Sequence, residues 1–328
     1  MSKLKAAITA VEGYVPDYIL TNDELSQMVD TNDEWIMTRI GIKERHILKG
    51  EKGPSDMAEI VVKRILEKKN ISPDEIELVI CCTVTPDMVF PATANVIAHK
   101  CGIKHGFGFD INAGCSGFLY GLTTATKYIE SGFVKKAIVI GAEKMSAIVN
   151  YQDRATCPIF GDGAAAVLLE ATEGENGIID EVLYSDGEGV KHLHQVAGGS
   201  VKPASHETVD AREHFIYQEG QAVFKWAVVK MAEATEEILR KNNMSSQEID
   251  YLLPHQANMR IISATGKRLE LDNEKVLINI EKYGNTTSAT IPMLMFENQH
   301  KFKKGDNLIL TAFGAGFTWG AVLVKWAI

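Results

Sequence analysis

The sequence has few cysteines, no long apolar run and no basic tract, and each absence excludes a class of protein. The five cysteines are an odd number and none are spaced as CxxC, which argues against a disulfide framework or a zinc ribbon. Glu12 interrupts the first apolar stretch, so that stretch fits neither a secretory signal nor a membrane span. A net charge of −9 without a basic stripe argues against a nucleic-acid partner. We therefore expect a cytoplasmic protein with reduced thiols and no membrane or nucleic-acid partner.

The composition that remains is that of a large α/β protein. The 328 residues, 45% hydrophobic and 23% charged, are ample for two domains with their own cores. Segments with strand character alternate with segments of helical period, as parallel sheets require. Strands are expected near residues 5–11, 77–84, 107–112, 136–141, 164–170, 249–254, 275–280, 307–312 and 320–326, and helices near 23–30, 55–68, 91–101, 115–131, 219–242, 258–269 and 287–300.

The chain repeats one plan in its two halves. ISPDEIELVICCTVT (residues 71–85) and MSSQEIDYLLPHQAN (residues 244–258) each carry a serine, an acidic turn and an apolar strand. The same order of motifs continues in residues 107–131 and 276–300, and again in 134–170 and 303–326. This pattern predicts duplication of a whole domain, with halves at residues 1–171 and 172–328 and a loop-rich segment over 171–218. Such halves bring equivalent helix N-termini together, so we expect Cys115, His255 and Asn285 to meet.

Cys115 lies in the small-residue turn NAGCSGF, which opens a predicted helix. The positive end of the helix dipole would favour a thiolate, which is a nucleophile. The alternative is an inert buried cysteine. Gly114 and Gly117 favour the nucleophile because they leave room for a substrate.

His255 and Asn285 each have an ordinary alternative role. An imidazole such as His255 serves equally in core hydrogen bonding, metal ligation or catalysis, and Asn285 is suited to cap a helix. As a pair of donors they could hold a developing oxyanion. His192 and His194 could point the same way from a strand towards a metal, but no carboxylate or cysteine joins them at ligand spacing.

Three motifs together resemble the β-ketoacyl-acyl-carrier-protein synthase III family: NAGCSGF at residues 112–118, PHQAN at 254–258 and YGNTT at 283–287. Further matches follow in family order along the whole chain. The resemblance implies a thiolase-like fold of five layers, αβαβα, in a homodimer. It also implies decarboxylative condensation of an acyl-CoA primer with malonyl-acyl-carrier protein, which gives β-ketoacyl-acyl-carrier protein, CoA and CO2 and initiates type II fatty acid biosynthesis.

The resemblance also implies roles for individual residues. Cys115, His255 and Asn285 would be catalytic, and the backbone N–H groups of Cys115 and Ala315 would form the oxyanion hole. No metal or redox cofactor is implied, since the CoA thioester and malonyl-phosphopantetheine are substrates. The implied contacts are Trp35, Arg39 and Arg154 with CoA, Phe90 with the acyl pocket across the dimer, and Lys225, Arg260, Lys267 and Arg268 with the carrier protein.

The sequence departs from the family pattern at a few positions. Ala315 stands where a glycine is common, Gly114 and Ser116 replace alanines that often flank the cysteine, and Ile40 replaces a threonine. Two alternatives stay open, namely a related thiolase-fold acyl-CoA acyltransferase of specialised metabolism and a noncatalytic binding protein. A thiolase would want a second cysteine in residues 313–317, which have none. The sequence does not specify the acyl primer.

Overall fold

Alternating strands and helices build two large mixed sheets and two two-stranded sheets in the computed structural model, which describes residues 4–328. The strands are Lys5–Tyr14 (β1), Ile19–Thr21 (β2), Glu44–His46 (β3), Leu78–Cys82 (β4), Phe107–Ile111 (β5), Lys136–Glu143 (β6), Gly163–Thr172 (β7), Gly177–Ser185 (β8), Leu193–Gln195 (β9), Ile216–Gln218 (β10), Tyr251–Pro254 (β11), Asn307–Gly314 (β12) and Thr318–Lys325 (β13). The α-helices are Asn22–Ser26 (α1), Asp33–Arg39 (α2), Pro54–Lys69 (α3), Thr93–Lys100 (α4), Gly117–Glu130 (α5), His206–Asp210 (α6), Gly220–Lys241 (α7), Met259–Arg268 (α8), Ile280–Tyr283 (α9) and Thr290–Asn298 (α10).

The two large sheets share one topology. The first has the order β1-β7-β6-β4-β5, with β4 parallel to both β5 and β6 and with β7 antiparallel to both β6 and β1. The second has the order β11-β12-β13-β8, with β11 parallel to β12 and with β13 antiparallel to both β12 and β8. Strands β4, β6, β7 and β1 therefore correspond to β11, β12, β13 and β8, which confirms the predicted duplication. The domain boundary at residues 171 and 172 stays a prediction.

The repeated serine motifs fold alike in both halves. Each begins a short 3-10 helix, Pro73–Glu75 or Ser246–Glu248, directly before β4 or β11. Glu75 accepts a hydrogen bond from the N–H of Ser72 at 3.0 Å, and Glu248 accepts one from the N–H of Ser245 at 2.8 Å. This capping box satisfies backbone donors at the start of each turn and sets the entry into each strand.

Helices cover the sheets in five layers, αβαβα, as the family resemblance implied. α3 and α4 pack on the outer face of the first sheet, α5 and α10 lie between the sheets, and α7 covers the second sheet with α8 against it. Apolar clusters fill the space on both faces of each sheet. Helix α5 approaches β4 closely at Gly121, where a Cβ atom would collide with Sγ of Cys82. The close approach positions the first turn of α5 beside the end of β4.

The structure corrects several secondary-structure predictions. The strand expected over residues 275–280 is only an isolated bridge between Val276 and Leu252. The segment predicted to be loop-rich contains β8, whose acidic pair Asp180 and Glu181 obscured the strand pattern; Lys241 Nζ lies 2.8 Å from Asp180 Oδ1 and balances that charge. Helix α2 was not predicted, and the helix expected from residue 287 begins as a 3-10 turn, Thr287–Ala289, before α10.

No helix within residues 4–328 is both long and apolar enough to cross a membrane.

Candidate active site

A cavity of about 1070 Å³ lies where the two halves meet. Cys115 from the first half and Asn285 and His255 from the second half all line it, together with Ala315. The structure therefore brings together the three side chains that the repeat predicted would meet. Because none of the three is close to another in sequence, this convergence depends on the packing of the two sheets.

Cys115 occupies the loop between β5 and α5, in backbone contact with the end of β12. Gly114 has φ +54°, and a Cβ atom there would lie 2.5 Å from the backbone nitrogen of Ala315. At Gly314 a Cβ atom would collide with the nitrogen of Cys115. Ala315 itself is not among the residues with positive φ, so an alanine is accommodated where a glycine is common. The backbone segments that carry Cys115 and Ala315 consequently approach each other closely at the cavity wall.

Burial controls the ionisation of Cys115. The thiol is half-buried at the cavity wall, and desolvation raises its pKa to about 12. A hydrogen bond with the Asn285 side chain opposes this rise. This desolvation acts against the helix dipole on which the prediction of a neutral-pH thiolate rests, so it favours the protonated thiol in the free protein.

Asn285 has its amide orientation fixed by the turn that follows it. Its Oδ1 accepts a hydrogen bond from the N–H of Thr287 at 2.8 Å. The carbonyl end is thus occupied, and Nδ2 is the end left to donate into the cavity. Asn285 is anchored on both sides of its backbone, because its N–H donates to Ile159 O at 2.8 Å and its carbonyl accepts from the N–H of Gly161 at 3.1 Å.

His255 directly follows β11 and is 1% exposed. Its N–H donates to the carbonyl of Thr311 at 2.8 Å, and its Nδ1 lies 2.7 Å from Thr290 Oγ1. Desolvation lowers the pKa of His255 to about 3, so the ring is neutral. The other ring nitrogen, Nε2, is buried and has no hydrogen-bond partner among residues 4–328.

In the described part of the chain, two buried polar atoms without partners belong to residues that line this cavity, namely Nε2 of His255 and Oγ1 of Thr287. Native proteins satisfy nearly all such groups, so an orphan at a cavity wall indicates a ligand contact. Thr287 also has φ +53°, which is rare for a β-branched residue. Strain of this kind typically costs about 1–3 kcal/mol and clusters at functional sites.

The predicted CoA contacts lie at the cavity mouth. Trp35 and Arg39 line the cavity, whereas Arg154 lies over the Trp35 ring with its Cζ 5.1 Å from the ring centroid. Arg154 also pairs with Asp30 through an exposed contact of 3.2 Å. An adenine between indole and guanidinium needs roughly 7 Å, or two van der Waals contacts. The Arg154 guanidinium therefore covers the face of the Trp35 indole itself and leaves no room for an adenine between them.

The residues predicted to contact the acyl pocket across the dimer and the carrier protein lie in different parts of the structure. Phe90 is 82% exposed in the loop between β4 and α4 and does not line the cavity of its own chain. Lys225 and Arg260 line the cavity at its mouth. Lys267 is exposed near the far end of α8, and Arg268 is bound to the Glu236 carboxylate by two contacts of 2.8 Å.

Four residues in or behind the cavity wall were not predicted from the sequence, namely Glu143, Thr287, Ser288 and Thr290. The available signal was Glu143, an acidic residue that follows the apolar residues 137–142 of β6. The histidine pair considered for a metal is used locally: His192 Nδ1 lies 2.5 Å from Glu219 Oε2, and His194 Nδ1 lies 2.7 Å from Val190 O. Within residues 4–328, no group of three potential metal ligands lies together.

A thiol, an amide donor and a neutral imidazole, set between two copies of one sheet in five layers, define an acyltransferase of the thiolase-like class. Family models described as 3-oxoacyl-[acyl-carrier-protein] synthase III match residues 109–187 and, for its C-terminal part, 239–326. The chain is 56% identical to β-ketoacyl-[acyl-carrier-protein] synthase III 2 of Bacteroides thetaiotaomicron over 327 residues, 99% of this chain and 98% of the relative.

Other relatives agree. The Porphyromonas gingivalis enzyme of that family is 54% identical over 328 residues, covering 100% of this chain and 98% of the relative. The crystal structure of 3-oxoacyl-[acyl-carrier-protein] synthase III from Aquifex aeolicus superposes with a TM-score of 0.90 at 41% identity, covering 98% of this chain and 100% of that one. The chain belongs to the 3-oxoacyl-[acyl-carrier-protein] synthase III family.

Proposed function

We propose that this family member condenses an acyl-CoA primer with malonyl-acyl-carrier protein and so starts the synthesis of a fatty acid chain. The observation that carries the proposal is the convergence of Cys115, Asn285 and His255 on one cavity. The enzyme is an acyltransferase, and its chemistry divides into transfer to the thiol and condensation.

In the first half, Cys115 Sγ attacks the thioester carbonyl of acyl-CoA. The thiol proton passes to the departing CoA sulfur, so the products are an acyl-cysteine thioester and CoA thiol. The N–H groups of Cys115 and Ala315 hold the oxyanion of the tetrahedral intermediate. Because the pKa of the free thiol is raised, deprotonation accompanies attack and does not precede it.

In the second half, malonyl-carrier protein loses CO2 and its thioester oxygen becomes an enolate oxygen. Asn285 Nδ2 and His255 Nε2–H donate to that oxygen, in the ring tautomer where the Thr290 hydroxyl donates to Nδ1. The α-carbon then attacks the acyl-Cys115 carbonyl, the C–S bond breaks, and the thiolate takes up one proton from solvent. This sequence needs no metal or redox cofactor.

The two substrates would approach through one mouth. Trp35 and Arg39 at the rim suit a nucleotide base and its phosphates. Arg154 must move off the indole to admit the base, and the exposed pair with Asp30 that holds it is worth only about 0–1 kcal/mol. Lys225 and Arg260 present positive charge to an acidic carrier protein at the same mouth.

We also propose a homodimer that docks along β5. This strand lies at the edge of the first sheet, and the adjacent Phe107 and Phe133 are 39% and 68% exposed. Val89 and Phe90 are 87% and 82% exposed, so Phe90 is free to enter a partner subunit's acyl pocket. Exposed apolar surface of this kind favours association. Sedimentation of wild type and Phe90→Asp at one concentration would test the dimer, since a wild-type monomer refutes it.

The cytoplasmic location expected from the sequence stays a prediction.

Mass spectrometry of the intact protein tests the reaction. Wild type incubated with a panel of acyl-CoAs should gain one acyl group, and malonyl-carrier protein should then remove it and yield β-ketoacyl-carrier protein. Cys115→Ala should gain none, whereas Cys101→Ala, which removes a different buried thiol, should behave as wild type. Absence of an adduct with every acyl-CoA would overturn the proposal, and the adduct that forms fastest identifies the primer.

A further inference from the structure

Glu143 is a buried carboxyl group beneath the active site, and it has no part in the proposed acyl transfer or condensation. It ends β6 and is 0% exposed. Within residues 4–328, no lysine, arginine or histidine side chain forms an ion pair with it. A buried anion without a cation is costly, so burial favours the neutral, protonated form of this carboxyl group.

The two carboxyl oxygens of Glu143 have different surroundings. Oε2 faces only donors: the hydroxyls of Thr85 at 2.7 Å and Thr83 at 3.1 Å, and the N–H groups of Val84 at 3.1 Å and Thr85 at 3.2 Å. Oε1 lies 2.8 Å from the hydroxyl oxygen of Ser288 and 3.2 Å from the N–H of Val84, which it shares with Oε2. The donors thus concentrate on one oxygen.

Ser288 decides where the proton lies. Its Oγ is 2.6 Å from the carbonyl oxygen of Cys82 and 2.8 Å from Glu143 Oε1. A hydroxyl has one proton, and a carbonyl can only accept. If Ser288 donates to Cys82, as the shorter distance favours, the contact with Oε1 is a hydrogen bond only when Oε1 carries a proton of its own. Burial acts in the same direction, since desolvation raises the pKa of Glu143 to about 7.

Ser288 also connects this carboxyl group to the active site. It lies in the turn Thr287–Ala289, between Asn285 and Thr290, and packs against the first turn of α5, where a Cβ atom at Gly117 would lie 3.5 Å from Ser288 Cβ. A Cβ atom at Gly141 on β6 would lie 2.7 Å from the Ser288 carbonyl carbon. The turn therefore rests directly on β6 and on the helix that follows Cys115.

We propose that Glu143 is a positioning residue that acts as a neutral carboxylic acid, whose Oε1–H donates to Ser288 Oγ and thereby fixes the turn that carries Asn285 and Thr290. The role rests on the proposed function, because those two residues matter through the condensation step. Ionisation would break this bond and add negative charge near the nucleophile. The titratable groups that face Glu143 are Cys81 and Cys82 on β4 and Cys115 before α5. Residues 83–85 and 287–290 have none, and the neighbouring Lys144 Nζ donates to the carbonyls of Gly50 and Lys52.

Replacement by an amide distinguishes a neutral acid from an ionised carboxylate. Glu143→Gln places an N–H donor against Ser288 Oγ and keeps an acceptor for the four donors, so it should reproduce the neutral acid. Asp162 is the matched control: it is also 0% exposed, but its two oxygens accept from Leu48 N–H, Ser146 N–H and Ser146 O–H at 2.6–2.9 Å. Asp162→Asn would turn an N–H group towards donors and should destabilise the protein.

Thermal unfolding at pH 6 gives the first test, without any catalytic assay. Glu143→Gln should keep the wild-type Tm, while Asp162→Asn and Glu143→Leu should lower it by about 2 °C or more. The infrared band of a protonated carboxyl C=O should be present in wild type, persist in Asp162→Asn and disappear in Glu143→Gln. An unchanged infrared spectrum in Glu143→Gln, or a Tm loss equal to that of Asp162→Asn, would show an ionised carboxylate and overturn the proposal.

Single-turnover kinetics give the second test. Glu143→Leu should slow condensation of the acyl-enzyme with malonyl-carrier protein by about 100-fold, as expected for a displaced catalytic group, while acylation of Cys115 changes by less than about threefold. Wild-type condensation should fall as the pH rises through about 7, and Glu143→Gln should lack that fall. Equal losses in both half-reactions, or an identical pH dependence in both proteins, would refute the positioning role. If no variant, including wild type, condenses, the proposed function fails, while the unfolding and infrared results still decide the protonation state.

Discussion

The imidazole of His255 is held from behind by Thr290, with Nδ1 and Oγ1 2.7 Å apart. Thr290 Oγ1 also lies 3.0 Å from the carbonyl oxygen of Thr287, so its single proton can serve only one of two acceptors. If the proton goes to Nδ1, Nε2 carries the ring proton and donates into the cavity. If it goes to Thr287, Nδ1–H donates to Thr290 and Nε2 is a bare acceptor. The hydroxyl therefore selects the ring tautomer.

Removal of this hydroxyl should impair condensation more than acylation. We expect Thr290→Val to slow decarboxylative condensation by about 10- to 100-fold, because Nδ1 loses its partner and the ring loses its tautomer and orientation. Thr290→Ser keeps the hydroxyl and should therefore retain most of the wild-type condensation rate. Rapid-quench measurements on pre-acylated enzyme provide the rate, and ¹⁵N NMR of the imidazole reports the tautomer. Thr265→Val is a control because it also loses a buried hydroxyl, one that donates within α8 to Ile261 O; a comparable loss there would contradict the prediction.

The free thiol of Cys115 should react slowly at neutral pH. Its pKa is raised to about 12, so the thiolate fraction is small at pH 7. As long as the pH stays below this pKa, the fraction grows tenfold for each unit by which the pH rises. The rate of alkylation by iodoacetamide, followed by mass spectrometry, should still be rising at pH 9. A plateau between pH 7 and 8 would show instead that the helix dipole dominates. His255, with its pKa lowered to about 3, should add no inflection near pH 6.5.

Gly114 and Ala315 should be energetically coupled. A Cβ atom at Gly114 would lie 2.5 Å from the nitrogen and 3.1 Å from the Cα of Ala315, and Gly114 has φ +54°. Gly114→Ala should therefore destabilise the fold, whereas Ala315→Gly alone should cost little. In the double variant the smaller residue 315 can shift, so we expect a coupling free energy of about 1 kcal/mol from urea unfolding. If the changes in the free energy of unfolding of the two single variants simply add in the double variant, the φ strain at Gly114 alone sets the cost of Gly114→Ala.

Trp35 should contribute to nucleotide binding and not to chemistry. Trp35→Ala should raise KM for acyl-CoA by about tenfold or more, because stacking on an aromatic ring is worth about 1–3 kcal/mol per base, with kcat nearly unchanged. Arg154→Ala removes the side chain that now covers the indole, so its effect should be smaller. An acyl-pantetheine thioester without the nucleotide is the control substrate. Equal losses with both substrates would argue against an adenine site at Trp35.

The four predicted carrier-protein contacts should differ in strength. Lys225→Glu and Arg260→Glu at the cavity mouth should each lower kcat/KM for malonyl-carrier protein by about tenfold at low salt, since charge reversal at an interface mainly slows association. Lys267 lies roughly 10 Å further along α8, and Arg268 is already paired with Glu236, so their reversal should matter less. The acylation rate with acyl-CoA is the internal control, and the differences should shrink as salt rises. Equal effects at all four positions would instead place the carrier protein along the whole of α8 as well as against Lys225 on α7.

Much of the architecture was predictable because it is written in local patterns. Both halves repeat the same local features: the serine and glutamate of a capping box, an apolar strand (β4 or β11), and a glycine turn such as the one after β12. The duplication was therefore visible without the structure. The ionisation of Cys115 was not predictable from the helix dipole, which is a property of one element. Desolvation, the largest cause that raises the pKa of this thiol, comes from the packing of segments distant in sequence.

By itself the sequence determined the class of fold, the repeat and the identity of the three side chains that converge, because periodicity and motif spacing are local properties of the chain. Only the tertiary structure decided their chemical states. Packing of the two sheets buries His255, half-buries Cys115 and, with Oδ1 of Asn285 occupied by the Thr287 N–H, leaves Nδ2 of that amide to donate into the cavity. It also places Glu143 beneath Ser288. Ionisation and hydrogen-bond direction depend on burial and on partners from distant segments, which only the folded chain brings together.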